Sequence, residues 1–268
     1  MPMHSEISSE ADDPALRTSG IVLHSPAFYD FTVWLAFFGK EHMFREQLLQ
    51  LARITKGESV LDVGCGTGTL AIAAKQRVGP EGAVYGVDAS PEMLARAEKK
   101  ARRAGVEVFF MNGLAEALPF PDARFDVVLS AVMLHHLPKK ARLQCAKEIR
   151  RVLKPNARLL AVDFEGFSDQ KRSFLSHFHR PHGHVRARDI VALMDEAGLK
   201  TIGSGPLGMR DLQYVLANPI VAVDSPAQGL DGPKAAKAIW DLERDHFEIR
   251  LGLGNVLKLM SRVASSSF

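Results

Sequence analysis

Short apolar runs alternate with amphipathic stretches along the middle of this chain. Residues 59–63 and 83–87 have the length and the β-branched content of buried parallel strands. A helical pattern begins at Leu70, directly after the first strand. Further strands are predicted at 106–111, 127–129, 201–207 and 212–216, and another strand is predicted to end at Phe164. Helices are predicted at 141–153 and 187–197. This alternation predicts an α/β fold with a parallel sheet.

The same pattern divides the chain into four parts. Residues 1–20 are polar and predict a mobile tail, whereas 21–56 are rich in aromatic residues and predict a helical cap segment. That segment either packs on the core as a helix or covers a ligand cleft. Residues 57–218 form the predicted core. Residues 219–268 predict a helical extension, whose basic amphipathic helix favours packing on the cap or a second subunit over contact with a membrane surface.

A glycine-rich loop joins the first strand to its helix. Gly64, Gly66 and Gly68 give the spacing G-x-G-x-G, and Thr69 stands where a dinucleotide fingerprint has its third glycine. Such a loop predicts backbone N–H groups and a helix N-terminus close to a ligand. Asp62 lies inside the strand, where a carboxylate favours a cationic ligand over a pyrophosphate.

An aspartate follows the second strand at the offset expected of a ribose-binding acid. Asp88 lies twenty residues after Gly68 (88 − 68 = 20), and one carboxylate can accept from two vicinal hydroxyls. Ser90, Pro91 and Glu92 supply a helix cap directly after it. The spacing therefore predicts a nucleoside ligand.

These residues resemble the motifs of class I S-adenosylmethionine (SAM)-dependent methyltransferases. Residues 61–68, L-D-V-G-C-G-T-G, are similar to motif I, and 87–94 are similar to motif II. Residues 112–120 resemble the family string G-D-A-E-x-L-P-F, with Leu114 in place of an acid. Residues 29–45 resemble the N-terminal signature of the ubiquinone/menaquinone biosynthesis methyltransferases of the methyltransferase domain 11/25 type.

The resemblance implies a doubly wound, Rossmann-like sheet of seven strands, mostly parallel and with the last strand antiparallel. It implies helices on both faces of that sheet, SAM as cofactor and S-adenosyl-L-homocysteine (SAH) as product. The residues that it implies for the cofactor are Asp62, Gly64, Cys65, Gly66, Thr67, Gly68, Asp88, Ala89, Met93, Asn112, Gly113, Leu114, Ala115 and Ser130.

Two adjacent histidines follow the fourth strand, where the carboxyl ends of parallel strands form a ligand crevice. Adjacent histidines on a helix point in different directions, so we expect at most one of them to reach a substrate. The family resemblance favours His136 as a general base working with Tyr29; the alternative is that both histidines only shape the cleft. Phe37, His135 and Asp163 are predicted to contact the substrate.

The turn before the fifth strand departs from the family pattern L-K-P-G-G-x-L. Asn156 and Ala157 replace both glycines, and alanine does not tolerate left-handed geometry. We therefore expect a different turn type there. The four histidines between His177 and His184 have spacings that can bind metal, but a solvated or substrate-gating loop is favoured, and no metal is predicted.

Composition narrows the class of protein. The net charge is only +3, so the composition does not predict binding to nucleic acid. No apolar run reaches the length of a transmembrane helix. The two cysteines, Cys65 and Cys145, fit a reducing cytoplasm. The N-terminus lacks the apolar region of a secretion signal, so a cytoplasmic location is expected.

Together these features predict an enzyme that moves the SAM methyl group to a small, largely apolar O-, C- or S-nucleophile under the aromatic cap. A homodimer through residues 219–268 is compatible with the pattern. The alternative is a SAM-binding protein without methyl transfer, using the cofactor for structure, sensing or other catalysis. A dehydrogenase is the third choice.

Overall fold

The computed structural model describes residues 41–165, 187–209 and 211–220. In chain order these residues form α1 (Glu41–Leu51), β1 (Ser59–Val63), α2 (Thr69–Val78), β2 (Ala83–Asp88), α3 (Pro91–Ala104), β3 (Phe109–Asn112), β4 (Phe125–Ala131), a 3₁₀ helix (Leu134–His136), α4 (Lys139–Val152), β5 (Leu153–Phe164), α5 (Ala187–Glu196), β6 (Leu199–Pro206) and β7 (Leu212–Pro219).

The seven strands form one sheet in the order β3-β2-β1-β4-β5-β7-β6. The first five pair in parallel, and β7 is antiparallel to both β5 and β6. The strand order reverses between β1 and β4, which is the switch point where open α/β sheets bind ligands. The predicted mostly parallel, seven-stranded sheet with an antiparallel last strand is therefore confirmed.

Both faces of the sheet are covered by apolar side chains. One face packs around Phe125 and Ile149 with α4 and α5, and the other packs around Leu129 with α1 and α2. Because parallel strands are buried on both sides, β1 and β4 consist mostly of apolar residues. Asp62, which is only 2% exposed, interrupts the run in β1.

Helix α1 packs directly on the core. Phe44, Leu48 and Leu49 are buried against the same face of the sheet as Val60, and Gln47 Nε2 donates to Leu207 O at 3.0 Å. The helix ends at Leu51. The aromatic residues before it, the tail and the residues after Ile220 lie outside the described residues, so the four predicted divisions stay predictions.

Helix α3 begins and ends where its sequence signals predict. Ser90 Oγ accepts from Met93 N at 3.2 Å and donates to Glu92 Oε2 at 2.8 Å, with Pro91 at the first helical position. Gly105 closes the helix in the left-handed conformation, with φ of 65°. Val106 N still donates to Ala101 O, so β3 starts at Phe109 rather than at residue 106.

The fourth and fifth strands are longer than predicted. β4 extends from Phe125 to Ala131, and β5 begins at Leu153, within the predicted turn. The register shifts because Phe125 pairs with Leu153 whereas Val127 pairs with Arg158, which leaves extra residues on β5. Asn156 and Ala157 lie in this irregularity, and neither has positive φ. Asn156 and Ala157 therefore replace the two glycines of the family pattern without strain, because they lie in strand β5. The prediction of a turn at these residues is wrong.

Arg158 ties the segment after α1 to the sheet. Its guanidinium donates to the carbonyls of Ala52 and Arg53 and to Glu58 Oε2, with the last contact at 2.9 Å. Arg158→Met should lower the free energy of unfolding by about 2–4 kcal/mol, because three acceptors lose a charged donor. Urea unfolding measures it. The matched control is Arg102→Met, whose partner Glu98 is exposed and which should cost under about 1 kcal/mol; equal losses would contradict the prediction.

Candidate functional site

The glycine loop lies at the carboxyl end of β1, next to the switch point of the sheet. Gly64, Gly66 and Gly68 have φ of 71°, 52° and 73°, so all three adopt the left-handed region that other residues avoid. A Cβ at Gly64 would lie 2.3 Å from Met133 Cγ. A Cβ at Gly68 would lie 2.7 Å from Ala97 Cβ and from Phe110 Cζ. Gly64 and Gly68 are therefore required by the chain's own packing.

The N–H groups of the loop bond within the protein. Gly64 N and Cys65 N both donate to Val87 O, at 2.8 and 3.0 Å. Gly66 N donates to Asp88 Oδ2 at 2.8 Å, and Gly68 N donates to Cys65 O at 2.9 Å. In this structure the N–H groups of these four residues therefore bond within the protein, and cofactor binding by the loop stays a prediction. A pyrophosphate would find none of these donors, which argues against the dehydrogenase alternative.

Asp88 lies at the end of β2 and connects the loop to α3. Its Oδ1 accepts from Ser90 N at 2.9 Å and its Oδ2 accepts from Gly66 N. Burial raises the pKa of Asp88, while hydrogen bonds from the backbone of Ser90, Gly66 and Ala89 oppose that rise. Each carboxylate oxygen keeps a second lone pair. The half-buried carboxylate can therefore still accept from ligand hydroxyls.

Asp62 is a second, fully buried carboxyl group beneath the loop. The backbone N–H of Ala71, in the first turn of α2, donates to it, and Oδ2 has no partner. Burial, with repulsion from Asp88 as the second cause, raises the pKa of Asp62 to about 7. A cationic ligand would favour the ionised form.

The titration of Asp62 predicts a pH dependence of stability. Between pH 3.8 and about 7 the folded protein keeps a proton that the unfolded chain has lost. The free energy of unfolding should therefore fall as pH rises through this window and level off above it, by up to about 1.4 kcal/mol per pH unit. Urea unfolding of wild type and Asp62→Asn across the window isolates the effect, since Asp88 titrates in both. Parallel curves for the two proteins would contradict it.

The segment after β3 packs against the backbone of Asp88. Asn112 Nδ2 and Gly113 N each donate to Asp88 O at 3.1 Å. Leu114 is 8% exposed and pairs with Ala117 across a tight bridge. Ala115 is half-buried. These contacts place residues 112–115 beside the ribose-binding candidate, and a role in adenine binding stays a prediction.

The remaining cofactor candidates differ in accessibility. Cys65 is buried, its pKa is raised chiefly by that burial, and a Cβ at Gly86 would lie 2.9 Å from its Sγ. Thr67 Oγ1 accepts from Lys100 Nζ at 2.7 Å. Met93 is only 2% exposed, whereas Ala89 is half-buried. Cys65 and Met93 therefore face the protein interior.

The chain after β4 makes a strained turn beside the loop. Ser130 is 1% exposed, and its Oγ has no partner. Val132 has φ of 55°, which is costly for a β-branched residue, and its N–H donates to Val162 O at 2.7 Å. This turn places Met133 over Gly64 and starts the 3₁₀ helix that carries the histidines.

The two histidines lie against each other, which corrects the expectation that they point in different directions. Their ring centroids are 3.9 Å apart. His135 Nδ1 lies 2.7 Å from Asp163 Oδ1, and the exposed ring of Phe164 contacts His135 edge-on at 5.6 Å. Burial first, and His135 second, lower the pKa of His136 to about 4, and its Nδ1 has no partner.

Asp163 is fully buried and its carboxylate bonds His135, and its predicted contact with the substrate stays a prediction. Tyr29, Phe37 and the histidines from 177 to 184 lie outside the described residues. Sequence reasoning missed Met133, Lys100 and Phe164 as parts of the site. Met133 lies two residues before the predicted His135, whereas Lys100 meets the loop only through the fold.

Within the described residues no helix is long and apolar enough to cross a membrane. In that part of the chain no group of three or more His, Cys, Asp or Glu side chains is placed to hold a metal ion.

In a comparison with known protein families, residues 60–156 match the methyltransferase domain family. The chain is 37% identical over 138 residues to the demethylmenaquinone methyltransferase of Geobacillus kaustophilus, covering 51% of this chain and 58% of that protein. It is 38% identical over 136 residues to the Thermus thermophilus demethylmenaquinone methyltransferase, covering 51% and 60%. The matched region thus spans less than two thirds of these relatives.

Solved structures agree on the fold. A SAM-dependent methyltransferase from Aquifex aeolicus superposes with a TM-score of 0.58 at 24% identity, covering 73% of this chain and 98% of that one. The [4+2]-cyclase SpnF superposes with a TM-score of 0.58 at 18% identity, covering 67% and 80%. Residues 60–156 thus match a methyltransferase domain, and the two solved structures share the fold of this chain.

Proposed function

We propose that this protein transfers the methyl group of SAM to a small, largely apolar acceptor. The observation that carries the proposal is the loop at the switch point, where a half-buried Asp88 carboxylate is presented while the loop amides are bonded internally. Such a site suits a nucleoside with hydroxyl groups and no phosphate. The similarity to demethylmenaquinone methyltransferases supports a quinol-like acceptor.

The residues present fit the cofactor. Asp62 keeps a buried oxygen without a partner, and its carboxylate, with that of Asp88, gives this crevice the negative charge that a sulfonium or ammonium group favours. In the proposal the loop from Gly64 to Gly68 holds the methionine end, Asp88 holds the ribose, and residues 112–115 hold the adenine. Bound SAM supplies an electrophilic methyl group on sulfur.

The chain's own contribution is orientation and the exclusion of water. Met133 packs on Gly64 and so brings the segment that carries the histidines to the edge of the cofactor site. Phe164, which is 39% exposed beside His135, offers an apolar surface for the acceptor. Residues 21–40 contribute the predicted aromatic cover, including Phe37 and Tyr29.

Calorimetry with SAM, SAH and NAD⁺ tests the cofactor, and SAH release tests the reaction. The acceptor probes are 1,4-naphthohydroquinone kept reduced, phenol and thiophenol. We expect heat with SAM and SAH, none with NAD⁺, and SAH release with at least one probe. Binding without release from any probe would favour the alternative of a SAM-binding protein without methyl transfer. Absence of heat with SAM and SAH would overturn the proposal.

A further inference from the structure

Asp62 is a buried carboxyl group in β1, directly beneath the glycine loop. It is only 2% exposed, and its register neighbours Gly86 on β2 and Leu129 on β4 carry no charge. The backbone N–H of Ala71 in α2 donates to it, and Oδ2 has no partner within the described residues. An ionised carboxylate needs several donors when water is excluded, so this environment favours the neutral, protonated group.

Two further acidic groups lie close to Asp62, and no cation of the described residues offsets them. Burial first, and repulsion from Asp88 second, raise the pKa of Asp62. Burial also raises the pKa of the Cys65 thiol, with Asp62 and Asp88 as further causes. Lys100 lies beside the loop, but its Nζ donates to Thr67 Oγ1 at 2.7 Å. No lysine, arginine or histidine of the described residues contributes to the pKa shift of either carboxyl group, so the pair lacks a counter-ion in that part of the chain.

The hydrogen bonds place the proton on Asp62 rather than on Asp88. Burial raises the pKa of Asp88 too, but the backbone N–H groups of Ser90, Gly66 and Ala89 donate to its carboxylate and oppose that rise. Asp62 has only one such donor, the N–H of the first turn of α2. Two interacting carboxyl groups titrate as a pair, and the one with fewer donors holds the proton.

SAM and SAH differ by one charge at the methionine end, which the proposed function assigns to the loop from Gly64 to Gly68. The sulfonium of SAM is positive, whereas the thioether of SAH is neutral, and the amino and carboxyl groups are the same in both. A positive charge beside a buried carboxyl group favours ionisation, and the low dielectric constant beneath the loop strengthens the effect. SAM can therefore displace the proton of Asp62, and SAH lacks the charge that would do so.

We infer that Asp62 senses the charge of the cofactor: it gives up a proton to solvent when SAM binds and takes one back when methyl transfer leaves SAH. The inference rests on the proposed function. The ionised carboxylate supplies the counter-ion of the sulfonium and so strengthens the binding of SAM. After transfer the sulfur is neutral, and protonation removes the charge that held the cofactor. Asp62 thus makes the site prefer SAM over SAH, increasingly as the pH rises.

The first test counts protons in the unmodified protein. Calorimetry with SAM and with SAH, in phosphate and in imidazole buffer at pH 6.5, gives the protons exchanged from the difference in buffer ionisation heat. Burial raises the pKa of Asp62 to about 7, so the group is mostly protonated before binding. SAM should then release roughly half a proton per site, and SAH close to none.

The second test follows the ratio of the Kd for SAH to the Kd for SAM against pH, in wild type, Asp62→Asn and Asp126→Asn. In wild type the ratio should rise by about fivefold or more between pH 5.5 and pH 7.5, and level off above that range. Asparagine keeps the shape of the neutral group but cannot ionise, so in Asp62→Asn the ratio should stay constant within about twofold. Asp126 accepts from Lys154 Nζ at 2.7 Å and so has its own cation, and Asp126→Asn should behave like wild type.

The outcomes separate the inference from the proposed function. Equal proton release by SAM and SAH, or none by either, would overturn the inference and leave cofactor binding intact. A ratio that still rises with pH in Asp62→Asn would show that another group senses the charge, and would overturn it too. If Asp62→Asn does not fold, as circular dichroism would show, the proton count in wild type decides alone. No heat with either compound at any pH would remove the proposed function, and the inference with it.

Discussion

Gly64→Ala should lower the free energy of unfolding by about 2–5 kcal/mol and abolish measurable SAM binding. The left-handed conformation at φ of 71° costs about 1–2 kcal/mol for a residue with a Cβ. Overlap adds to that cost, since the new Cβ would lie 2.3 Å from Met133 Cγ and 2.9 Å from its Cβ. The displaced segment also carries the 3₁₀ helix with both histidines. Urea unfolding and calorimetry measure the two effects.

A matched glycine separates strain from overlap. Gly57 has φ of 82°, and nothing lies within 4 Å of a Cβ added there, so Gly57→Ala should cost only the conformational strain. Removing Cγ and Sδ in Gly64→Ala/Met133→Ala should recover part of the loss, because only the contact at 2.9 Å remains. Equal losses in Gly57→Ala and Gly64→Ala, with no coupling to Met133, would contradict the packing argument.

Asp88→Ala should raise the Kd for SAH by about 10- to 100-fold, because a ligand hydroxyl loses a charged acceptor. The substitution also frees Gly66 N and Ser90 N, so a loss of affinity alone does not identify the ribose contact. The 2′-deoxy analogue of SAH resolves this. It should bind wild type more weakly than SAH does, whereas Asp88→Ala should bind the two compounds almost equally.

Asp126 provides the matched carboxylate at the opposite end of the sheet. It accepts from Ser59 N at 2.9 Å and from Lys154 Nζ at 2.7 Å, so Asp126→Asn also removes a carboxylate that holds backbone and side chain together. It should lower stability and leave the Kd for SAH unchanged. A penalty for the 2′-deoxy analogue that persists in Asp88→Ala would show that another group binds the ribose.

Local signals in the sequence predicted much of the sheet and the glycine loop. The strand–glycine–helix order and the cap at Ser90 both depend on residues within a few positions of one another. Strand ends were less well predicted, because the irregularity in β5 depends on its pairing with β4. The sequence of residues 153–157 alone predicts a turn. In the structure Leu153 pairs with Phe125 of β4, so the segment begins within the sheet.

The sequence by itself determined that a left-handed glycine loop follows β1 and that an acid follows β2, since both are properties of short peptides. Only the tertiary structure decided where the loop amides go, because their acceptors Val87 O and Asp88 Oδ2 lie on another strand. It also decided which histidine is paired, since Asp163 lies 28 residues from His135 in sequence and meets it only where β4 and β5 end together. At this edge of the sheet His135 is paired with Asp163, whereas burial lowers the pKa of His136 and leaves its Nδ1 without a partner. No local sequence pattern encodes this difference between the two histidines.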